Sequence, residues 1–270
     1  LDASVKSFEK ALSIKPEFTE AHNNLGITFK ELGQLDAAVK SYEKALTIKP
    51  DYIEAHNNLG NVLKDLGQLD AAVKSYEKIL TIKPDNIEAH NNIGVTLQKL
   101  GQMDASVKSF EKALAIKPDY VDAHNNLGIT LMELGQQDAA LKCYEKVLAI
   151  TPDFAEANSN HGHILTDLKR LDEALASYER AIALNPNLDF ILGNLLHIKM
   201  HLCLWDDLAN RLNELTKKIN NGEKSILPFE MLALIDDPEI QMKTAAIYAN
   251  EKYPQSDVLS TIERYPKHNK

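Results

Sequence analysis

Apolar and polar positions alternate along this chain with helical spacing, in pairs of short stretches. In residues 21–32 (AHNNLGITFKEL) the apolar side chains Ala21, Leu25, Phe29 and Leu32 fall on one helical face. In residues 37–48 the stripe Ala38, Val39, Tyr42, Ala45 and Leu46 does the same. Two amphipathic helices are therefore predicted, with punctuation that fits. Gly33 follows the first stripe, where a helix end favours a left-handed residue. Asp36 is expected to cap the second helix through its side-chain oxygen, and Pro50 to stop it. Gly26 and Ala38 are small, as a close approach of the two helices requires.

The pair recurs every 34 residues. Gly26, Gly60, Gly94, Gly128 and Gly162 keep that interval, as do Pro16, Pro50, Pro84, Pro118, Pro152 and Pro186. Residues 19–52 and 53–86 are identical at 27 of 34 positions. The unit resembles the tetratricopeptide repeat: Leu59-Gly60, Leu63, Ala72, Tyr76 and Pro84 fill its characteristic positions, with Ile79 in place of the second alanine. The fifth unit departs from the pattern at Asn158, His161 and Lys169. The resemblance covers residues 1–186 and implies an all-α fold, a right-handed superhelix (α-solenoid) whose first helices line a concave groove. On this reading residues 1–186 hold one half repeat and five full ones. Residues 187–253 form a degenerate repeat with capping helices, expected at 189–203, 206–220, 228–235 and 238–251. Asp237 would cap the last of these, with Pro238 in its first position. Residues 254–270 read as a linker.

A net charge of −9 argues against nucleic acid or an anionic membrane as partner. The apolar runs are too short to cross a bilayer. Two cysteines, Cys143 and Cys203, outside any CxxC spacing, fit a reducing compartment, and a cytoplasmic location is expected.

One polar position repeats through every unit: Asn24, Asn58, Asn92, Asn126 and Asn160, with Asn194 at the same interval in the degenerate unit. Its neighbour is asparagine in four units, Asn23, Asn57, Asn91 and Asn125, and Ser159 in the fifth. An asparagine amide offers one acceptor and two donors, which match a peptide C=O and N–H. Helices packed roughly 8–10 Å apart would place one amide beside about every third residue of an extended peptide, which rises about 3.3 Å per residue. The expected partner is protein or peptide held by its backbone in the groove. Asn23, Asn57, Asn91 and Asn125 join this candidate site, with packing or solvation as an equal alternative for them.

Other residue patterns carry less chemistry. Glu20, Glu54, Glu88, Asp122 and Glu156 occupy the row where a clamp for a terminal carboxylate would need lysine or arginine. His22, His56, His90 and His124 are one repeat apart, too far to share a metal, and are expected to pack between units. His197 and His201 have i,i+4 spacing with Cys203 close behind, but no HExxH motif surrounds them. Cys143 replaces a serine of the repeat and is expected to be exposed. No catalytic residue, cofactor site or metal site is assigned.

Beyond the repeats, LHIKMHLCLWDDLANRL (196–212) and LPFEMLALIDDPEIQMKTAA (227–246) are similar to the region joining repeats to catalytic domain in bacterial relatives of O-linked N-acetylglucosamine transferase and SPINDLY-type glycosyltransferases. Cys203, Trp205, Asp207 and Arg211, with Pro228, Phe229, Asp236, Asp237 and Pro238, carry the likeness. It implies an arm that guides acceptor polypeptides to a sugar-transfer site located beyond residue 270, the fragment itself being no enzyme. A free-standing assembly scaffold or co-chaperone-like adaptor is the alternative. Residues 1–15 read as a second helix without its first, so self-association through the apolar face of Val5, Phe8, Ala11 and Leu12 is expected.

Overall fold

A computed structural model describes residues 1–253 of the chain, so the expected linker at 254–270 lies outside the described residues. Those residues form fifteen α-helices and no strand. They fall into two compact units, the first of residues 1–153 and the second beginning at Phe154.

The first unit opens with α1 (Asp2–Ile14) and continues as four helical hairpins. These are α2 (Thr19–Glu31) with α3 (Leu35–Ile48), α4 (Ile53–Asp65) with α5 (Leu69–Ile82), α6 (Ile87–Lys99) with α7 (Met103–Ile116), and α8 (Val121–Glu133) with α9 (Gln137–Ile150). Each first helix packs on its own second helix and on the second helix of the preceding hairpin. First helices also touch one another, α2 with α4 and α6 with α8.

The glycine of each first helix sets how close a hairpin closes. A β-carbon built on Gly60 would lie 2.5 Å from the Tyr76 ring, and one on Gly94 would lie 2.5 Å from the ring of Phe110. Each aromatic ring thus fills the space that a side chain would take, and Tyr76 and Phe110 have no exposed surface. Ala38, Ala72 and Ala140 are equally sealed.

The turns follow from local chemistry. Gly33, Gly67, Gly101 and Gly135 adopt φ of 71–74°. The next amide then bonds back into the helix: Gln34 N–H donates to Phe29 C=O at 2.9 Å, closing the left-handed cap. Asp36 is not the cap of α3. Gln34 holds that position without a side-chain bond, and Asp36 sits within the first turn, where its charge meets the positive end of the helix dipole. The expectation placed the helix start two residues late, because Leu35 continues the helix without a polar cap.

The second unit keeps the hairpin in α10 (Ala155–Asp167) and α11 (Leu171–Leu184). It then holds α12 (Ile191–His201), α13 (Leu208–Asn220), the single turn α14 (Pro228–Met231) and α15 (Pro238–Lys252). Left-handed caps persist here without glycine: Lys169 has φ 61° and Cys203 φ 56°, at the same 34-residue interval as the glycines. Leu204 N–H donates to Lys199 C=O at 2.8 Å, the same bond that Gln34 makes. The repeat geometry therefore outlasts the sequence pattern that announces it.

The start of α12 is fixed by chain from much later in the sequence. Phe190 N–H donates to Lys224 C=O at 2.6 Å and Gly193 N–H to Ser225 C=O at 2.9 Å, with Ile226 packed onto Gly193. Leu192, Leu196, Leu215, Ile219, Ile226, Met231 and Ile240 form the core of this end. The helix expected at 228–235 shortens to one turn, and residues 233–235 bond as tight turns instead. Asp237 caps α15 as expected, its Oδ1 accepting from Glu239 N–H at 2.9 Å.

Candidate functional site

The two asparagine series of the first unit interlock. Asn58 Nδ2 donates to Asn23 Oδ1 at 3.1 Å, Asn92 to Asn57 at 3.0 Å, and Asn126 to Asn91 at 3.1 Å. Each bond joins the first helix of one repeat to the first helix of the preceding one. Asn23 in turn donates to Glu54 Oε1 at 3.3 Å, which fixes the orientation of its own amide. The bonds all run in one direction, so each amide of the Asn58 series spends one N–H on its neighbour. One N–H and the carbonyl oxygen remain.

The two series differ in access. Asn24 is exposed, and Asn58, Asn92 and Asn126 are half-buried. Asn23 has no exposed surface and Asn91 only 8%. Asn23 therefore presents no surface and Asn91 little: both are packed against the next repeat and accept a bond from its amide. Asn57 and Asn125 are half-buried, and the Asn125 Oδ1 makes no hydrogen bond. In the second unit Asn160 on α10 and Asn194 on α12 are half-buried, on helices that pack together. Ser159 has no amide oxygen to offer Asn194, so the interlock is not repeated there.

Beside this ladder runs the exposed row Glu20, Glu54, Glu88 and Asp122. Tyr52 donates its hydroxyl to Glu54 Oε2 at 3.3 Å, and the Tyr120 hydroxyl is pushed up to about 12 by burial and by Asp122. Lysines lie over the aromatic rings that open the first helices: Lys15 over Phe18, Lys49 over Tyr52 and Lys117 over Tyr120, at 5.2–5.7 Å. The face is negative with apolar islands.

The repeated histidines lie where one repeat meets the next, with His56 and His90 buried, and each also makes a hydrogen bond. His22, His56, His90 and His124 each place Nε2 2.9–3.0 Å from the C=O of Pro16, Pro50, Pro84 and Pro118, respectively. A carbonyl only accepts, so Nε2 carries the proton. Each ring ties its helix to the turn that leads into it. In the fifth repeat Asn158 donates to the C=O of Phe154, the residue just before α10, at 2.9 Å.

One further expectation changes. Cys143 is buried at 8% exposure, and burial pushes its thiol up to about 11. The serines at the same register, Ser41, Ser75, Ser109 and Ser177, are equally buried, and Ser41, Ser109 and Ser177 bond the carbonyl one turn back. This register faces inward, where a small side chain fits. His161, at a core leucine position, is half-buried and bonds Ser177 Oγ at 2.9 Å. His197 and His201 face each other with Nε2 atoms 3.1 Å apart. No group of three or more His, Cys, Asp or Glu side chains that could hold a metal occurs among the described residues. No described helix is long and apolar enough to cross a membrane.

Residues 28–67 and 60–101 match the family described as TPR repeat. Residues 7–40, 85–153 and 125–189 match families described as tetratricopeptide repeat. No curated protein matches the chain. Among solved structures, that of MamA is 26% identical, covering 60% of this chain and 95% of its own, with a TM-score of 0.56. YrrB, described as a TPR protein with an unusual peptide-binding site, is 24% identical over 73% of this chain and 99% of its own, with a TM-score of 0.56. PilF of Pseudomonas aeruginosa is 19% identical over 74% of this chain and 90% of its own, with a TM-score of 0.66.

Proposed function

This chain belongs to the tetratricopeptide repeat family, and we propose that it is a scaffold that holds an extended polypeptide by its backbone along Asn24, Asn58, Asn92 and Asn126. Asn160 and Asn194 serve the same role in the second unit. The observation that carries the reading is the one-way bond of Asn58, Asn92 and Asn126 to the preceding repeat. An amide pinned in this way presents its remaining N–H and oxygen in a fixed orientation, so little side-chain entropy is lost on binding. Each rung is worth about 1 kcal/mol net. Three rungs therefore account for roughly a hundredfold in affinity.

The test is the triple substitution Asn58→Ala, Asn92→Ala and Asn126→Ala. Affinity for an extended peptide falls by roughly a hundredfold while the helical circular dichroism signal is kept. Unchanged affinity removes the reading. The variant also loses three inter-repeat bonds, so its unfolding midpoint drops and binding is measured well below it.

The finer reading is that the scaffold is the substrate-recruiting arm of a glycosyltransferase similar to the O-linked N-acetylglucosamine enzymes. Its support is the stretch from Cys203 to Pro238, in which Trp205 is 53% and Phe229 86% exposed, large apolar surfaces on a segment that adjoins other protein in such enzymes. In this reading residues 1–186 are the repeat array, 187–253 its degenerate end and cap, and the protein works in the cytoplasm. Finding no nucleotide-sugar domain encoded beyond residue 270 would leave the free-standing scaffold instead. Self-association belongs to the same proposal. The α1 helix has no buried residue, and its Phe8 is half-buried where Tyr42 is 1% exposed. Sedimentation of a Phe8→Glu variant as the same species as the parent would dismiss it.

A further inference from the structure

Phe18, Tyr52, Tyr120 and Phe154 hold the residue before α2, α4, α8 and α10, and none bonds a helix N–H through its side chain. The equivalent residue of α6 is Asn86. Its Oδ1 turns back to accept from Ala89 N–H at 2.8 Å and caps the helix. The exchange gains a cap and removes a ring.

Beside Asn86 lies a cavity of about 490 Å³, between the turns that open α4 and α6. Tyr52 and Ile53 line one side, and the buried Ile79 provides an apolar floor. Glu54 and Glu88 belong to the lining, as do Lys49 and Asp51. Three carboxylates against one ammonium leave it net negative by two charges. Asn57 also lines it, the same residue whose oxygen receives the rung from Asn92. The cavity therefore adjoins the ladder within the first unit.

We propose that this cavity is a subsite for one arginine or lysine side chain of the polypeptide held on the ladder; it rests on the ladder reading. A long cationic side chain has two parts, and the cavity offers a match for each. The aliphatic stem packs on Tyr52, Ile53 and Ile79, while the charged head meets Glu54 and Glu88. Lys49 lies 5.2 Å from the Tyr52 ring centroid, a cation–π contact within the lining itself. A neutral or acidic side chain would leave the excess of two negative charges uncompensated. Backbone contacts along the ladder do not distinguish sequences. This subsite does, at one position.

The experiment uses the full chain and two fluorescein-labelled dodecapeptides of Ala, Ser and Thr. One carries a central arginine, the other a citrulline, its neutral isostere. Fluorescence anisotropy in low salt is expected to show the arginine peptide binding roughly tenfold tighter, with the advantage shrinking as salt screens the charges. The advantage shrinks in Glu88→Gln and disappears in Asn86→Tyr, while citrulline-peptide affinity is unchanged. Asn86→Ser, which keeps a capping side chain and the open cavity, retains the preference. Equal affinity of the two peptides for the parent overturns the subsite and leaves the ladder standing. Failure of both peptides to bind overturns the ladder, and the subsite with it.

Discussion

Replacing Gly60 by alanine places a methyl group where the ring of Tyr76 now lies. Its carbon would stand 2.5, 2.7 and 2.9 Å from three ring atoms. Restoring ordinary contact near 3.5 Å requires the ring to retreat by about 1 Å. Tyr76 has little freedom to do so, since it has no exposed surface and its hydroxyl donates to Asn61 Oδ1 at 2.8 Å. Overpacking of this kind costs about 1–3 kcal/mol, and the helix preference of alanine over glycine returns about 0.5–1. The net loss is about 1–2 kcal/mol. Gly162 supplies the internal comparison, because its nearest ring atoms of Tyr178 are at 3.0, 3.0 and 3.1 Å. Half the displacement suffices there, and Gly162→Ala is expected to stay within about 0.5 kcal/mol of the parent. Urea unfolding followed at 222 nm measures both. A Gly60→Ala protein as stable as the parent, or a larger loss at Gly162 than at Gly60, would refute the ring-on-glycine account of hairpin closure.

Lys169→Gly removes a side chain from a left-handed position and should stabilise the protein by about 1 kcal/mol in the same urea assay. With a disulfide-exchange reagent at pH 8, Cys203 should react rapidly, whereas Cys143, buried and with its thiol near 11, should react only after urea is added. Burial lifts the Glu230 carboxyl above its ordinary value, with a backbone N–H and His163 opposing the shift. A carboxyl held this way binds its proton more tightly when folded, so stability falls as pH rises from about 4.3 through the folded value. Glu230→Gln should accordingly raise the urea midpoint at pH 7 and leave it unchanged below pH 4.

Helices and turns were legible in the sequence wherever a residue type has one dominant reason to be present. Gly33 and its successors mark left-handed caps, and the 34-residue interval forces hairpins to stack. The cap at Cys203 was not legible, since a cysteine gives no sign of a positive φ; only its distance from Lys169 does. Burial of small polar residues was equally hidden. Ser41 bonds the Ala37 carbonyl within its own helix and Cys143 is buried as a free thiol, and the side chain alone does not tell which face it occupies. The candidate site was half legible. Recurrence singles out two adjacent asparagines, but only packing separates the sealed Asn23 from the accessible Asn58. The hint was the spacing of 35 residues between donor and acceptor, which crosses the two series. The cavity beside Asn86 also had a signal, the loss of one aromatic from the row that includes Tyr52 and Tyr120, which becomes meaningful only once the neighbouring turns are in place.

The claim that the outer amides hold a peptide by its backbone is tested most directly by removing backbone N–H groups from the ligand. Calorimetry compares a bound dodecapeptide with two derivatives: one with its uncharged side chains shuffled, one N-methylated at every third residue. The account predicts nearly equal affinity for the shuffled peptide and at least a tenfold loss for the N-methylated one. Tolerance of N-methylation together with sensitivity to shuffling would contradict it.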